Sequence, residues 1–272
     1  MSRRGGDMLV RQGLIPAAGN GSRLGPFTSA IPKELLPVGD KAVIQHAVET
    51  MALAGIEEIV IVVSPRKHGI SDYLGSGQRF GLNFTYVVQE ERLGLANAVM
   101  AGEHVIDGSF AVVLGDNFLH PKTFLRDLVS YHLLSEADAT IGVSEVNDVT
   151  RCGIISHEGD RVLDMIEKPS PEEAPSRLGS VGVYVFENNI FDSIRNTEPG
   201  FGGEYQLTDS VKMAIKQGRK VVYKELEGIH IDVGTPRDLM LANKWYLANK
   251  NSMENSGDLN GCSNAPEGSL SI

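Results

Sequence analysis

Gly13-Leu14-Ile15-Pro16-Ala17-Ala18-Gly19-Asn20-Gly21-Ser22-Arg23-Leu24 carries the chain from a short apolar run into a glycine-rich turn that ends on a cation. An apolar strand that stops on such a turn reads as the first β-to-α connection of an open α/β sheet, whose ligands meet the carboxyl ends of the strands. Pro32-Lys33-Glu34-Leu35-Leu36-Pro37 follows, a lysine between two prolines that stiffen its loop. Backbone N–H groups at the turn, with Arg23 and Lys33, are what a chain needs to hold a polyphosphate. The spacing is not Walker A, because no Gly-Lys-Ser/Thr closes the turn, nor is it the dinucleotide Gly-x-Gly-x-x-Gly. The plainer alternative is an ordinary tight turn with Arg23 and Lys33 in solvent.

Outward from this turn, apolar runs at 59–63, 84–88 and 110–114 read as strands covered on both faces. Helices are expected at 42–54, 66–73, 94–103 and 122–134, so the first half is α/β with a mostly parallel, Rossmann-like sheet. After a strand at 139–143 the rhythm changes. Residues 154–156 and 162–166 read as a hairpin about Glu158-Gly159-Asp160, followed by a loop over 168–175 and a strand at 181–186. This is expected to be an added, sugar-binding β region. A helix at 206–217, strands at 221–223 and 229–231, and a helix at 236–248 capped by Thr235 complete the order. One domain is expected over 1–248, with a nucleotide part at about 11–140, a sugar part at about 141–235 and the terminal helix. Residues 249–272 lose apolar periodicity and are expected to be flexible.

Composition narrows the function. The chain has 272 residues, 42% of them hydrophobic, enough for a real core. A formal charge of −10 argues against a nucleic-acid binder that relies on broad phosphate neutralisation. The two cysteines, Cys152 and Cys262, offer neither a disulfide framework nor a zinc site. No run reaches the length of a membrane span, and the opening segment lacks a signal-peptide core, so a cytoplasmic protein with no membrane partner is expected.

Two aspartates sit where strands end, Asp116 in Gly115-Asp116-Asn117 and Asp232 in Asp232-Val233-Gly234-Thr235. Each alone could be a turn residue. Together they suit a hard divalent cation, since unscreened carboxylates would repel each other and a triphosphate. Glu167-Lys168-Pro169 offers a carboxylate for vicinal hydroxyls and an ammonium for a phosphate monoester. Glu204 could accept further hydroxyls, or Glu204 or Thr208 could cap the next helix. Gln89 could pair with a base edge, with Gly94 admitting the ring, or could be a solvated loop amide. Cys152 reads as a small pocket or core residue, Trp245 as a packing or interface residue, and His230 as either packing or pocket lining.

In this order the motifs resemble the sugar-1-phosphate nucleotidylyltransferase family, especially its glucose-1-phosphate thymidylyl- and uridylyltransferases, over about Gly13 to Tyr246. The resemblance implies Mg²⁺-assisted attack of glucose 1-phosphate on the α-phosphorus of dTTP or UTP, with pyrophosphate leaving in line. Ala18, Gly19, Gly21 and Ser22 match the nucleotide signature, Arg23 and Lys33 the triphosphate cations, and Asp116 and Asp232 the metal ligands. Gln89 and Gly94 match pyrimidine-recognition residues. Gly153, Glu167, Lys168 and Glu204 match the sugar site, with Lys168 at the sugar phosphate. Gly94-Leu95-Ala96 and Leu114-Gly115-Asp116-Asn117 resemble thymidylyltransferases. Ile31-Pro32-Lys33-Glu34 and 203–209 are similar to bacterial uridylyltransferases, so dTTP and UTP both stay open. Another sugar, or a non-catalytic nucleotide-sugar sensor, is the competing reading. The resemblance also implies a homo-oligomer, a dimer or tetramer.

Overall fold

Successive side chains of a strand point to opposite faces, and the first strand shows what that means here. Leu14 enters one apolar cluster and Ile15 the other, both fully buried, so helices must cover both faces of the sheet. The computed structural model describes residues 9–65 and 67–255. The first half comprises β1 (Gln12–Pro16), α1 (Pro26–Ala30), β2 (Pro37–Val38), β3 (Lys41–Ala42), α2 (Val43–Leu53), β4 (Glu58–Val63) and α3 (His68–Leu74). β5 (Asn83–Val88), α4 (Leu95–Met100), β6 (Phe110–Val113), β7 (Asn117–His120) and α5 (Phe124–Ser135) continue it. The second half comprises β8 (Ala139–Glu145), β9 (Gly153–Glu158), β10 (Arg161–Glu167), β11 (Leu178–Phe186) and α6 (Ile190–Arg195). α7 (Leu207–Lys216), β12 (Val221–Glu225), β13 (Ile229–Asp232) and α8 (Pro236–Asn255) close the order.

Nine strands form one sheet in the order β5-β4-β1-β6-β11-β8-β12-β10-β9. β1, β4, β5 and β6 run parallel, and β11 enters antiparallel between β6 and β8. The reversed strand brings the start of β11 beside the end of β6, so loops from both halves gather at one sheet edge. The α/β reading with a mixed sheet flanked by helices therefore holds, the sheet being parallel from β5 to β6 and mixed beyond it. The β9–β10 hairpin turns at Gly159, whose φ of +57° is the left-handed conformation expected of that turn.

Three local expectations are corrected. The helix expected from Arg66 begins at His68, Arg66 itself lying outside the described residues. The segment after Asp116 is not a simple turn, because Asn117–His120 forms β7 and pairs antiparallel with β13, Asn117 opposite Asp232. The terminal helix runs to Asn255 rather than ending near 248. Ala242, Tyr246 and Met253 recur at helical spacing and are buried with Val38, Val43, Phe118, Ile231 and Val233, so the last turns have an apolar anchor despite their polar composition. The expected tail beyond 255, and Cys262 in it, lie outside the described residues. Thr235 caps α8 as expected, its Oγ1 accepting the Asp238 N–H at 3.2 Å and donating to the Asp238 carboxylate at 2.7 Å. Among the described residues no helix is long and apolar enough to cross a membrane.

Candidate active site

The glycine-rich turn leaves β1 at Ala17 and folds over the Lys33 side chain. Gly21 has φ +65°, and a Cβ there would lie 2.9 Å from Thr28 Cγ2 and 3.1 Å from Lys33 Cβ. A Cβ on Gly19 would sit 3.7 Å from Lys33 Nζ. Glycine is thus required at position 21 both for its conformation and for the close approach of the lysine stem. Ala18 is buried at the base, and Ser22 and Arg23 are exposed at the tip. Ser22–Leu24 forms one 3-10 turn anchored by the fully buried Leu24.

Lys33 Nζ forms an ion pair and hydrogen bond with Asp116 Oδ2. Asp232 lies beside this pair because β7 and β13 are neighbours, and the Val233 N–H donates to the Asp116 carbonyl at 3.0 Å. Arg23 Nη2 stands 3.9 Å from Asp232 Oδ2. A Cβ on Gly234 would fall 2.9 Å from that guanidinium nitrogen, so Gly234 leaves room for the arginine.

The electrostatics follow from this crowding. Burial works against the Lys33 charge, yet Asp116, Glu34 and Asp232 together hold it protonated well above the usual lysine value. Burial likewise pushes the Asp116 carboxyl up, but Lys33 outweighs it and leaves the group below the ordinary aspartate range. Asp232 is pushed up to about 6 by burial and by the Asp116 charge, against the pull of Lys33 and Arg23. Two carboxylates, one paired with the largely buried Lys33 and the other 3.9 Å from the exposed Arg23, are an all-oxygen donor pair, which suits a hard cation that keeps water and phosphate oxygens as further ligands. Among the described residues no group of three or more His, Cys, Asp or Glu forms a ready-made metal cage.

Most residues expected on the sugar side come from the β9–β10 hairpin and its exit. Gly153 opens β9, opposite Glu167 at the end of β10. Lys168 adopts φ +45°, uncommon for a residue with a side chain, while its N–H donates to the Cys152 carbonyl at 3.1 Å. Its ammonium lies 3.0 Å from Glu167 Oε1 and 5.1 Å from the centre of the Phe201 ring. Thr208 Oγ1 donates to Glu167 Oε2 at 2.6 Å. A Cβ on Gly153 would fall 2.6 Å from that Thr208 oxygen, so the glycine makes room for the threonine hydroxyl.

Other expectations find a different setting. Gln89 is buried, not solvated, with its amide N–H groups on Asn97 Oδ1 at 2.6 Å and the Gly94 carbonyl at 3.2 Å. Gly94, at φ +119°, lies against protein backbone: a Cβ would sit 2.5 Å from the Tyr205 carbonyl oxygen. The Tyr205 N–H donates to the Leu93 carbonyl at 2.7 Å, and Ala96 N–H to that of Tyr205 at 2.9 Å. Glu204 is exposed and bonded to Gln206 Nε2 at 3.5 Å rather than to Glu167 or Lys168. Neither Glu204 nor Thr208 caps α7, whose N-cap is Gln206. The Cys152 thiol is pushed up to about 11 by burial and the Glu167 charge, as for an inert packing cysteine. His230 bonds Asn117 Oδ1 at 3.2 Å, and Trp245 packs edge-on to Phe118 at 5.6 Å.

Four participants escape a reading of local motifs: Glu34 and Lys67 behind the turn, and Thr208 and Phe201 on the sugar side. Glu34 was visible next to Lys33, but its partner is 33 positions away in sequence with no motif of its own.

Residues 12–249 match the Nucleotidyl transferase family. The chain is 37% identical over 243 residues to the low-salt glycan biosynthesis nucleotidyltransferase Agl11 of Haloferax volcanii, covering 88% of this chain and 67% of that one. It is 36% identical over 255 residues to the UTP–glucose-1-phosphate uridylyltransferase YngB of Bacillus subtilis, covering 83% and 85% respectively. A crystal structure of UDP-glucose pyrophosphorylase complexed with UDP-glucose superposes with a TM-score of 0.81 at 30% identity, over 89% of this chain and 100% of that one.

Proposed function

The chain belongs to the nucleotidyl transferase family, among the sugar-1-phosphate nucleotidylyltransferases, and on that premise we propose that it makes UDP-glucose and pyrophosphate from UTP and α-D-glucose 1-phosphate. The observation that carries this reading is the meeting of Lys33, Asp116, Asp232 and Arg23 at one sheet edge beside the glycine turn. UTP is preferred over dTTP because two of the similar proteins are a UTP–glucose-1-phosphate uridylyltransferase and a UDP-glucose pyrophosphorylase. The local likeness of Leu114-Gly115-Asp116-Asn117 to thymidylyltransferases keeps dTTP as the second reading.

In this reading the turn N–H groups and Arg23 hold the triphosphate, and Lys33 stabilises charge on the α-phosphoryl group and departing pyrophosphate. Glu167 accepts sugar hydroxyls while Lys168 orients the phosphate monoester. That dianion is already a nucleophile, so no general base is required, and catalysis rests on alignment and charge stabilisation. Asp116 and Asp232 would hold Mg²⁺, whose chemistry is to neutralise phosphate oxygens. Initial rates of pyrophosphate release for UTP and dTTP against a panel of sugar 1-phosphates, with and without Mg²⁺, test the reading. Fastest turnover with UTP, glucose 1-phosphate and Mg²⁺ is expected. Ligand binding with no pyrophosphate release from any pair would replace it with the sensor.

A further inference from the structure

Behind the glycine turn lies a buried ion pair that the proposed reaction does not use. Glu34 is 1% exposed and Lys67 8%. The Lys67 ammonium donates to Glu34 Oε2 at 2.7 Å, Glu34 Oε1 at 2.8 Å and the Ala17 carbonyl at 2.9 Å. An ammonium has three N–H donors, so each has its own acceptor.

Those acceptors lie at the two ends of one excursion. Ala17 is where the chain leaves β1, and Glu34 is where it returns, one residue after Lys33. Between them, residues 18–33 carry the turn glycines, Arg23 and Lys33, yet only Ala18 and Leu24 are buried. Apolar packing therefore holds little of this segment. Thr28 Oγ1 adds one bond to the Gly21 carbonyl at 2.9 Å.

Stability does not account for the pair. Burial pushes the Glu34 carboxyl up and the Lys67 ammonium down, each despite the attraction of the other. Burial thus opposes both charges, and apolar replacement of such pairs is often neutral or stabilising. Position does account for it. Glu34 also attracts Lys33, and with both its oxygens held by Lys67 it is kept from drawing Lys33 away from Asp116.

We infer that Lys67 is a positioning residue for nucleotidyl transfer, its ammonium pinning Ala17 and Glu34 so that the intervening loop presents Arg23 and Lys33 in one fixed arrangement. The inference rests on the site assignment made under the proposed function, and its test has a readout that does not.

Lys67→Met alone leaves Glu34 buried without its partner and is expected to destabilise the fold. The deciding protein is the double variant Lys67→Met/Glu34→Gln, which removes both charges. It is expected to melt within a few degrees of the unaltered protein. Amide hydrogen exchange over residues 18–33 is expected to quicken about tenfold while exchange in β4 and α2 stays unchanged. Turnover is expected to fall about tenfold or more, with KM for UTP raised and KM for glucose 1-phosphate unmoved. Loop exchange matching the unaltered protein overturns the inference whatever the substrate. Quickened exchange with turnover and KM for UTP intact also overturns it, since the pair would then be structural only. If the unaltered protein releases no pyrophosphate from UTP and glucose 1-phosphate, the substrate reading falls, and loop exchange alone decides whether Lys67 pins the segment.

Discussion

The proposed phosphate edge and the proposed sugar edge of this sheet solve different problems with different material. At the proposed phosphate edge, charges sit in a row that runs from the largely buried Lys33–Asp116 pair through half-buried Asp232 to exposed Arg23 at 3.9 Å. These groups come from the ends of β6 and β13 and from a loop pinned behind by Lys67, so little reorganisation remains when charge develops. At the sugar edge, Glu167 and Lys168 leave the β9–β10 hairpin and are held by one threonine hydroxyl and one aromatic face. Fixed electrostatics lowers barriers, whereas hydrogen bonds to hydroxyls choose among similar ligands. The division predicts that changes on the first edge strike kcat and changes on the second strike KM for the sugar phosphate.

Lys33→Ala gives the largest expected effect, a loss of kcat on the order of 10³-fold, together with a lower melting temperature because Asp116 is left buried without its partner. Steady-state rates at saturating Mg²⁺ check it, and turnover within a factor of about two would remove Lys33 from the chemistry. Asp232→Asn is expected to cost about 10²-fold in turnover and to leave a signature in stability. In metal-free protein Asp232 titrates at about 6 when folded and at about 4 when unfolded, so the native state binds the extra proton. Stability therefore falls as pH rises from about 4 to about 6, and the asparagine variant, unable to ionise, is the more stable above about pH 6 and no different below about pH 4. Urea denaturation at both ends of that window measures the sign.

The sugar edge sharpens the contrast with smaller numbers. Thr208→Val deletes the bond to Glu167 and is expected to raise KM for glucose 1-phosphate about tenfold, leaving KM for UTP unchanged. A matching rise in KM for UTP would break the division between edges. Phe201→Ala removes the ring beside Lys168 and should raise the same KM only about two- to fivefold. Parallel kinetics on both variants ranks the two contacts.

Much of the phosphate edge was legible because its signals are local. A glycine turn after an apolar strand, and Asp116 and Asp232 at strand ends, follow from chain conformation alone. Their convergence was expected on chemical grounds, but the device that joins them, the β7–β13 ribbon, was not, because Asn117–His120 follows directly on Gly115-Asp116-Asn117, which reads as a turn. Gly94 shows the opposite limit: its positive φ suits a glycine, but its neighbour is the Tyr205 backbone. Thr208 read as a helix cap because a threonine near a helix start usually is one, and only the fold places Glu167 within 2.6 Å of it.

By itself the sequence determined the alternation of strands and helices, the glycine-led loop and the chemical types at each strand end, since these depend on periodicity and on backbone freedom within a few residues. The tertiary structure alone decided which groups share a charge, which hydroxyl steadies Glu167, and that Lys67 reaches both Ala17 and Glu34. Such pairings depend on where a reversed β11 and a crossover chain bring distant segments, and contact energies of that kind have no counterpart in local spacing.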